Sequence, residues 1–325
     1  MVNVAELLSL PRLEDDLATL EEALRHSVET GDPFLTDVAG HLIGAGGKRL
    51  RPALTLASAA AGGVETTPEV VQGGVSVELV HLGSLYHDDV MDEATSRRGV
   101  ESVNAHWGNL VAILAGDFLL ARASEIAASL GTEVAGLLAA TIGRLCEGQV
   151  GEIQSAFDVS RSEESYLASI AGKTASLMAA SCRIGALTAG LHRPQVEALT
   201  QFGHAFGMAF QIRDDLLDVV ASDGALGKPA GQDLVEGTYS LPVIYALADG
   251  DAGPELRELL GRPVNAPERD KARSIVRSTV AIRAAKDVGR RYAELAAEAV
   301  QGLPAGPVVA AMADLGHRLL DDIDA

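Results

Sequence analysis

Two short stretches of the chain repeat one pattern of carboxylates, Asp88-Asp89-Val90-Met91-Asp92 and Asp214-Asp215-Leu216-Leu217-Asp218. On a helix, residues four apart share a face, so each stretch stacks its first and last aspartates one turn apart with the middle one beside them. Carboxylates this close repel one another unless a cation neutralises them. Hard oxygen ligands with water in the remaining positions suit Mg²⁺, above all Mg²⁺ that already carries a diphosphate. A single DDxxD reads as a solvated acidic helix end. Two copies, each following a long apolar body, place six carboxylates across one cavity if the helices face each other, and that arrangement clamps a diphosphate through several metal ions.

Cations stand where such an anion needs them. Arg97 and Arg98 follow shortly after Asp92, and Gly47-Lys48-Arg49-Leu50-Arg51-Pro52 sets three more charges on a glycine-opened turn before a helix. Guanidinium groups make bidentate contacts with phosphate, and a helix start adds its own positive end. The turn is not a Walker A loop, because Leu42 stands where its first glycine belongs and Arg49 where its Ser/Thr belongs.

The elements that must position these groups read as helices. Ala, Leu and Glu dominate, apolar residues recur at three- and four-residue spacing, and alternating Val/Ile/Thr runs are nearly absent. Asp32-Pro33, Thr67-Pro68 and Arg193-Pro194 mark helix starts, since proline's missing N–H costs nothing in a first turn. The pattern predicts helices over 13–30, 34–45, 52–62, 68–93, 109–129, 132–158, 163–190, 195–222, 240–249, 269–302 (broken) and 307–322, with polar loops at 223–239 and 250–268. Helical pattern resumes after each loop without linker composition, which predicts one all-α domain over 1–325. Gly73, Gly74, Gly83, Gly203 and Gly207 fall inside helices, where each costs roughly 1 kcal/mol against Ala. Close packing or room for a ligand accounts for them.

Composition narrows the partners. The 325 residues are 47% hydrophobic and carry 45 acidic against 26 basic side chains, a net charge of -19. That sign opposes association with nucleic acid or anionic lipid. Two cysteines, Cys146 and Cys182, argue against a disulfide-built secreted fold, and both read as core residues. No charge-free stretch reaches the 18 residues of a membrane span and the N-terminus lacks signal-peptide features, so a cytoplasmic location is expected.

In order along the chain, GGKRLRP, HLGSLYHDDVMDEATSRRG, GKTASL and FQIRDDLLD…GKPAGQDL resemble the trans-prenyl diphosphate synthase family over residues 44–243. The resemblance implies a class I isoprenoid synthase fold, a helical barrel around a central cavity, working as a homodimer. It implies a transferase that condenses isopentenyl diphosphate head-to-tail onto an allylic diphosphate, with three Mg²⁺ ions held by Asp88, Asp89, Asp92, Asp214, Asp215 and Asp218. By matching position, Arg97, Lys173 and Lys228 bind the allylic diphosphate. Lys48, Arg51, His81 and Arg98 bind isopentenyl diphosphate. Lys173, Thr174 and Gln211 serve the reaction itself, the last two as uncharged oxygen dipoles near the developing carbocation. Tyr86 and His87 shape the helix.

Two departures are visible. Thr238 in EGTYSLP stands where many members have lysine, and the C-terminus, HRLLDDIDA, carries little basic character. Gly83 and Ser84, one turn before the first aspartate motif, fall where the family's tunnel floor lies. Small residues there predict a long product of about C40–C50. A class I terpene cyclase would share one DDxxD but lack the second motif, GGKRLRP and the paired arginines. A non-catalytic partner subunit would have lost its aspartates, whereas a catalytic subunit that needs a small partner keeps them.

Overall fold

The computed structural model describes residues 7–8, 10, 12–221, 230–321 and 323. Helix α1 spans Leu13–Ser27, α2 Pro33–Gly44, α3 Leu50–Ala61 and α4 Pro68–Met91. A two-stranded hairpin follows, β1 at Ser96–Arg97 and β2 at Val100–Glu101. Then come α5 Val103–Trp107, α6 Asn109–Ser129, α7 Thr132–Gln154 and α8 Glu163–Ile170. A π-helical turn at Ala171–Ala175 runs straight into α9 Ser176–Thr188, and α10 spans Arg193–Val220. The remainder is α11 Gln232–Glu236, α12 Leu241–Leu247, α13 Ala252–Leu259, α14 Ala266–Ser278, α15 Ala281–Ala299 and α16 Pro307–Asp321. Among the described residues the chain is all-α apart from the hairpin.

The start signals act as anticipated. Asp32 Oδ1 accepts from Phe34 N at 2.9 Å, and the Thr67 hydroxyl accepts from Val70 N at 3.4 Å, each with proline at the next position. At α10, Gln195 Oε1 accepts from His192 N at 3.2 Å, which closes the start beside Pro194. The expected break within 269–302 falls at Thr279, whose hydroxyl accepts from Ala281 N at 3.1 Å. Sequence periodicity missed α11, α13 and the start of α14, all short and polar, and it ran 163–190 through the π turn as one helix.

Helix α4 has no single apolar face because it packs on several sides, against α6, α3, α9 and α1. Helix α10 lies against α15 and α9. The helical glycines serve close packing. A Cβ on Gly73 would meet Ile184 at 2.8 Å, one on Gly203 would meet Met178 O at 2.6 Å, and one on Gly207 would meet Ala175 at 2.6 Å. Where α7 crosses the π turn the backbones touch. A Cβ on Gly148 would sit 2.4 Å from Lys173 N, and one on Gly172 would sit 2.7 Å from Arg144 O. That approach sets the backbone of Lys173 against α7.

Candidate active site

The late turns of α4 and α10, the π turn and the C-terminal half of α7 enclose a polar cavity of about 310 Å³. Asp92, Lys173, Thr174, Gln211 and Asp215 line it. The Thr174 hydroxyl donates to Gln211 Oε1 at 2.7 Å, Gln211 Nε2 donates to Asp215 Oδ1 at 2.8 Å, and Tyr166 donates its hydroxyl to Asp215 Oδ2 at 2.6 Å. Lys173 Nζ is paired with Glu152. Burial works against its charge, yet Glu152, Asp88 and Asp92 outweigh burial and raise its pKa. Lys173 and Thr174, both on the cavity wall, lie within the π turn, a kind of helix irregularity that is frequent at functional sites.

The expected metal ligands come together unequally. Asp92 faces the polar cavity, and Asp88 lines the adjoining apolar one. Asp89 is fully buried and bound by Arg97, Nε at 2.7 Å and NH2 at 2.6 Å, while its Oδ2 has no partner. Burial pushes the carboxyls of Asp88, Asp89 and Asp92 above their usual range, and Asp92 adds to the rise at the other two. Asp215 is pushed up to about 7, by burial first and by Asp214 and Glu152. Asp214 lines a different pocket, described below, and Asp218 accepts from Asp233 N at 3.2 Å. Carboxylates held this unwillingly, one with an orphaned buried oxygen, fit a hard divalent cation, which would lower all of these pKa values at once.

A second pocket, about 220 Å³, gathers Lys48, Arg51, His81 and Arg98, the four residues expected to hold one anion. Arg49 and Glu78 join them. Glu78, 1% exposed, accepts from Arg49 NH1 at 3.0 Å, and Arg49 reaches Glu21 through Nε and NH2 at 2.7 Å each. Arg98 donates to the carbonyls of Leu42 and Gly46. Its guanidinium lies close over the turn, where a Cβ on Gly47 would meet Arg98 NH1 at 2.8 Å, and Gly47 itself holds a φ of 154° that L side chains rarely adopt. Arg98 and Gly99 occupy the hairpin turn at φ 55° and 80°, both positive as a type I′ turn needs. The Arg98-Gly99 pair was the sequence signal for this hairpin. Arg51 Nε has no acceptor, and burial brings this guanidinium down to about 10. Burial, then Arg51 and Arg98, keep His81 well below its usual range and therefore neutral. From α16, Leu319 O accepts from Arg213 Nε at 2.7 Å, which ties the C-terminal helix to this pocket.

A third cavity, about 540 Å³ and mostly apolar, runs between α4, α6 and α7 from Asp88 and Thr174. Val80, Ser84, Leu85, Leu120, Ile142 and Leu145 line it, and His81 and His87 bring two imidazole rings to its walls. Ser84 is on this wall as expected. Gly83 is not. It is buried behind the wall, and a Cβ there would meet Gly116 O at 3.1 Å and Leu120 at 3.2 Å, so it serves the α4–α6 packing. Tyr86 is structural as expected, donating to Val38 O at 2.8 Å, but His87 lines the cavity. Cys146 lines it too and is exposed rather than core, whereas Cys182 is buried; both are free thiols. Sequence reasoning did not single out Glu152, Arg161 or Tyr166 for the polar cavity. They stand outside any dense motif, and no spacing signalled them. Thr238 does line that cavity, and Lys228 lies outside the described residues.

A helical barrel with two DDxxD helices over a diphosphate-sized polar cavity, a basic pocket beside it and an apolar one beneath defines a prenyl-transferring enzyme. The polyprenyl synthetase family model matches residues 32–278. A nonaprenyl diphosphate synthase from Mycobacterium tuberculosis is 41% identical over 303 residues, covering 92% of this chain and 90% of its own. A heptaprenyl diphosphate synthase component 2 from Geobacillus stearothermophilus is 40% identical over 93% of this chain and 94% of its own. The solved polyprenyl synthase of Caulobacter crescentus, complexed with calcium and isoprenyl diphosphate, superposes with a TM-score of 0.90 at 33% identity over 97% of each chain. The chain belongs to the polyprenyl synthetase family and is a prenyltransferase. Among the described residues, no helix is long and apolar enough to cross a membrane.

Proposed function

We propose that this chain, acting as one catalytic domain in the cytosol, condenses isopentenyl diphosphate onto an allylic diphosphate and makes a long all-trans polyprenyl diphosphate of about C40–C50. The observation that carries the length is the apolar cavity of about 540 Å³ below Asp88, with Ser84 on its wall and no Phe, Tyr or Trp to end it. The similarity to nonaprenyl and heptaprenyl synthases supports the same reading.

Asp88, Asp89, Asp92, Asp214, Asp215 and Asp218 are the residues that would hold Mg²⁺, directly or through water, three ions by the family's pattern. When bound, the metal neutralises the allylic diphosphate and draws charge onto it as a leaving group. Lys173 and Arg97 add fixed positive charge on the same side, so the C–O bond breaks against preorganised cations. Thr174 Oγ and Gln211 Oε1 lie 2.7 Å apart on the cavity wall and present oxygen dipoles to the positive carbon without a nucleophilic charge. Lys48, Arg51, Arg98 and neutral His81 orient isopentenyl diphosphate so that its double bond attacks that carbon. The proton then lost goes to the departing pyrophosphate. The apolar cavity excludes water, which would quench the cation, and receives the growing tail.

The active form is a homodimer. Leu110, Ile113 and Leu114 on α6 are 72%, 42% and 58% exposed, an apolar stripe that a second copy would cover. A heteromeric arrangement, as the name of the Geobacillus relative implies for that protein, is the second reading. The test is incubation with Mg²⁺, labelled isopentenyl diphosphate and dimethylallyl, geranyl, farnesyl or geranylgeranyl diphosphate, with products sized after dephosphorylation. Chains of eight or more units support the reading. Three or four units make this a short-chain synthase, and no elongation points to a missing subunit.

A further inference from the structure

The polar cavity holds a second cation that the motifs do not name. Arg161, in the turn between α7 and α8, is 6% exposed and lines the cavity with Lys173 and Thr238. Its NH1 donates to Tyr239 O at 3.1 Å and its NH2 to Ser169 Oγ at 2.9 Å. Its Cζ sits 5.7 Å over the Tyr166 ring, whose hydroxyl holds Asp215. A guanidinium has five N–H donors, and here Nε is buried with no acceptor among the described residues. Leaving a charged donor idle inside a protein is costly, so such a group is kept where an anion completes it. No carboxylate makes a salt bridge to Arg161 among the described residues, although Glu152 and Asp215 are near enough to act on its charge.

We propose that Arg161 binds the leaving diphosphate from the α7–α8 turn, as a further fixed cation of that site beside Lys173 and Arg97. This rests on the allylic diphosphate occupying the polar cavity. The hydrogen bonds to Tyr239 O and Ser169 Oγ fix the guanidinium plane before substrate arrives, and the stacking over Tyr166 links it to the residue that orients Asp215. Position 238, where the family resemblance places lysine in many members, adjoins Tyr239 and faces the same cavity. Arg161 therefore restores from another element the charge that Thr238 lacks.

The experiment is calorimetric titration of the full-length protein with inorganic pyrophosphate at fixed Mg²⁺, for the parent, Arg161→Gln and Arg161→Gln/Thr238→Lys. Glutamine can keep a hydrogen bond to Tyr239 O while removing the charge, so folding is spared, and a thermal melt checks it. Pyrophosphate affinity should fall at least about tenfold in the single variant, a loss on the scale of one charge-assisted contact. The double variant should recover most of it, and the KM for isopentenyl diphosphate should not move. Unchanged pyrophosphate affinity in Arg161→Gln overturns the proposal and leaves Arg161 as a peg for the Tyr239 backbone. A loss that Thr238→Lys does not restore also overturns it. If the parent elongates no primer, the reading of the chain as a self-sufficient synthase fails instead, whatever the variants bind.

Discussion

Helices α4 and α10 carry the same DDxxD pattern, yet the two sets of carboxylates live in different surroundings. In α4 the motif closes the helix. Asp92 is the C-cap, Asp88 is half-buried, and Asp89 turns away into its pair with Arg97. In α10 the helix continues beyond the motif to Val220, and Asp215 is fixed by two neutral donors, Tyr166 and Gln211. Charge pairing with Arg97 therefore holds Asp89 in the first motif, whereas neutral hydrogen bonds inside a buried wall hold Asp215 in the second. Under the proposed metal-binding role, Asp215 would meet a metal already oriented, whereas Asp89 would have to be drawn from its pair with Arg97.

The largest test of that contrast is Asp88→Ala, which should lower kcat/KM by about 10²–10³-fold, on the scale of losing one preorganised electrostatic contact to the leaving group. Chelation of divalent metal should abolish turnover of the parent altogether. Tyr166→Phe removes only the orientation of Asp215 and should cost roughly tenfold, the size typical of groups that hold a metal ligand in place. A loss as large as that of Asp88→Ala would show the second motif to be no better organised than the first.

Upstream of the motifs the contrast is steric. Ser84→Phe should shorten the product distribution by placing a ring in the apolar cavity, read by mass spectrometry of dephosphorylated products. Gly83→Ala should instead leave product length alone and cost up to about 2 kcal/mol of stability, the overpacking of its Cβ against Gly116 O at 3.1 Å less the roughly 1 kcal/mol by which Ala favours a helix over Gly. A shortened product from Gly83→Ala would put that glycine back on the cavity wall.

The smallest effect is one of pH. Burial holds the Asp215 carboxyl at about 7 against an ordinary 3.8, so the native chain keeps a proton there that the unfolded chain has released. The stabilisation this provides is full below pH 3.8 and is lost as pH rises through about 7. Asp215→Asn should flatten the fall in thermal midpoint of the metal-free protein across that window, measured by calorimetry. Asp89→Asn should do so less, since its Arg97 partner favours the charged form and opposes the rise caused by burial.

Much of this was legible in the chain. Proline and its caps located the starts of α2, α4 and α10, because capping is a local bond between residues two or three apart. The repeated aspartates and the GKRLRP turn named their own chemistry, since carboxylate and guanidinium have few reasons to cluster. Gly83 shows where reading stopped. A glycine one turn before a motif fits either an open tunnel or a tight crossing, and only the position of Gly116 on α6 decides. Cys146 failed in the same way, as its helix is apolar on a face that lines a cavity rather than a core.

What the sequence determined by itself was the set of charged groups, the helices that bear them and the family they spell. Tertiary structure alone decided which aspartates face the polar cavity, that Glu152 pairs with Lys173, and that Arg161 comes to the wall occupied by Thr238. Helix identity and capping arise from neighbours along the chain. The facing of a side chain depends on helices packed from far away in sequence, through contacts such as Gly148 against Lys173 that no local pattern encodes.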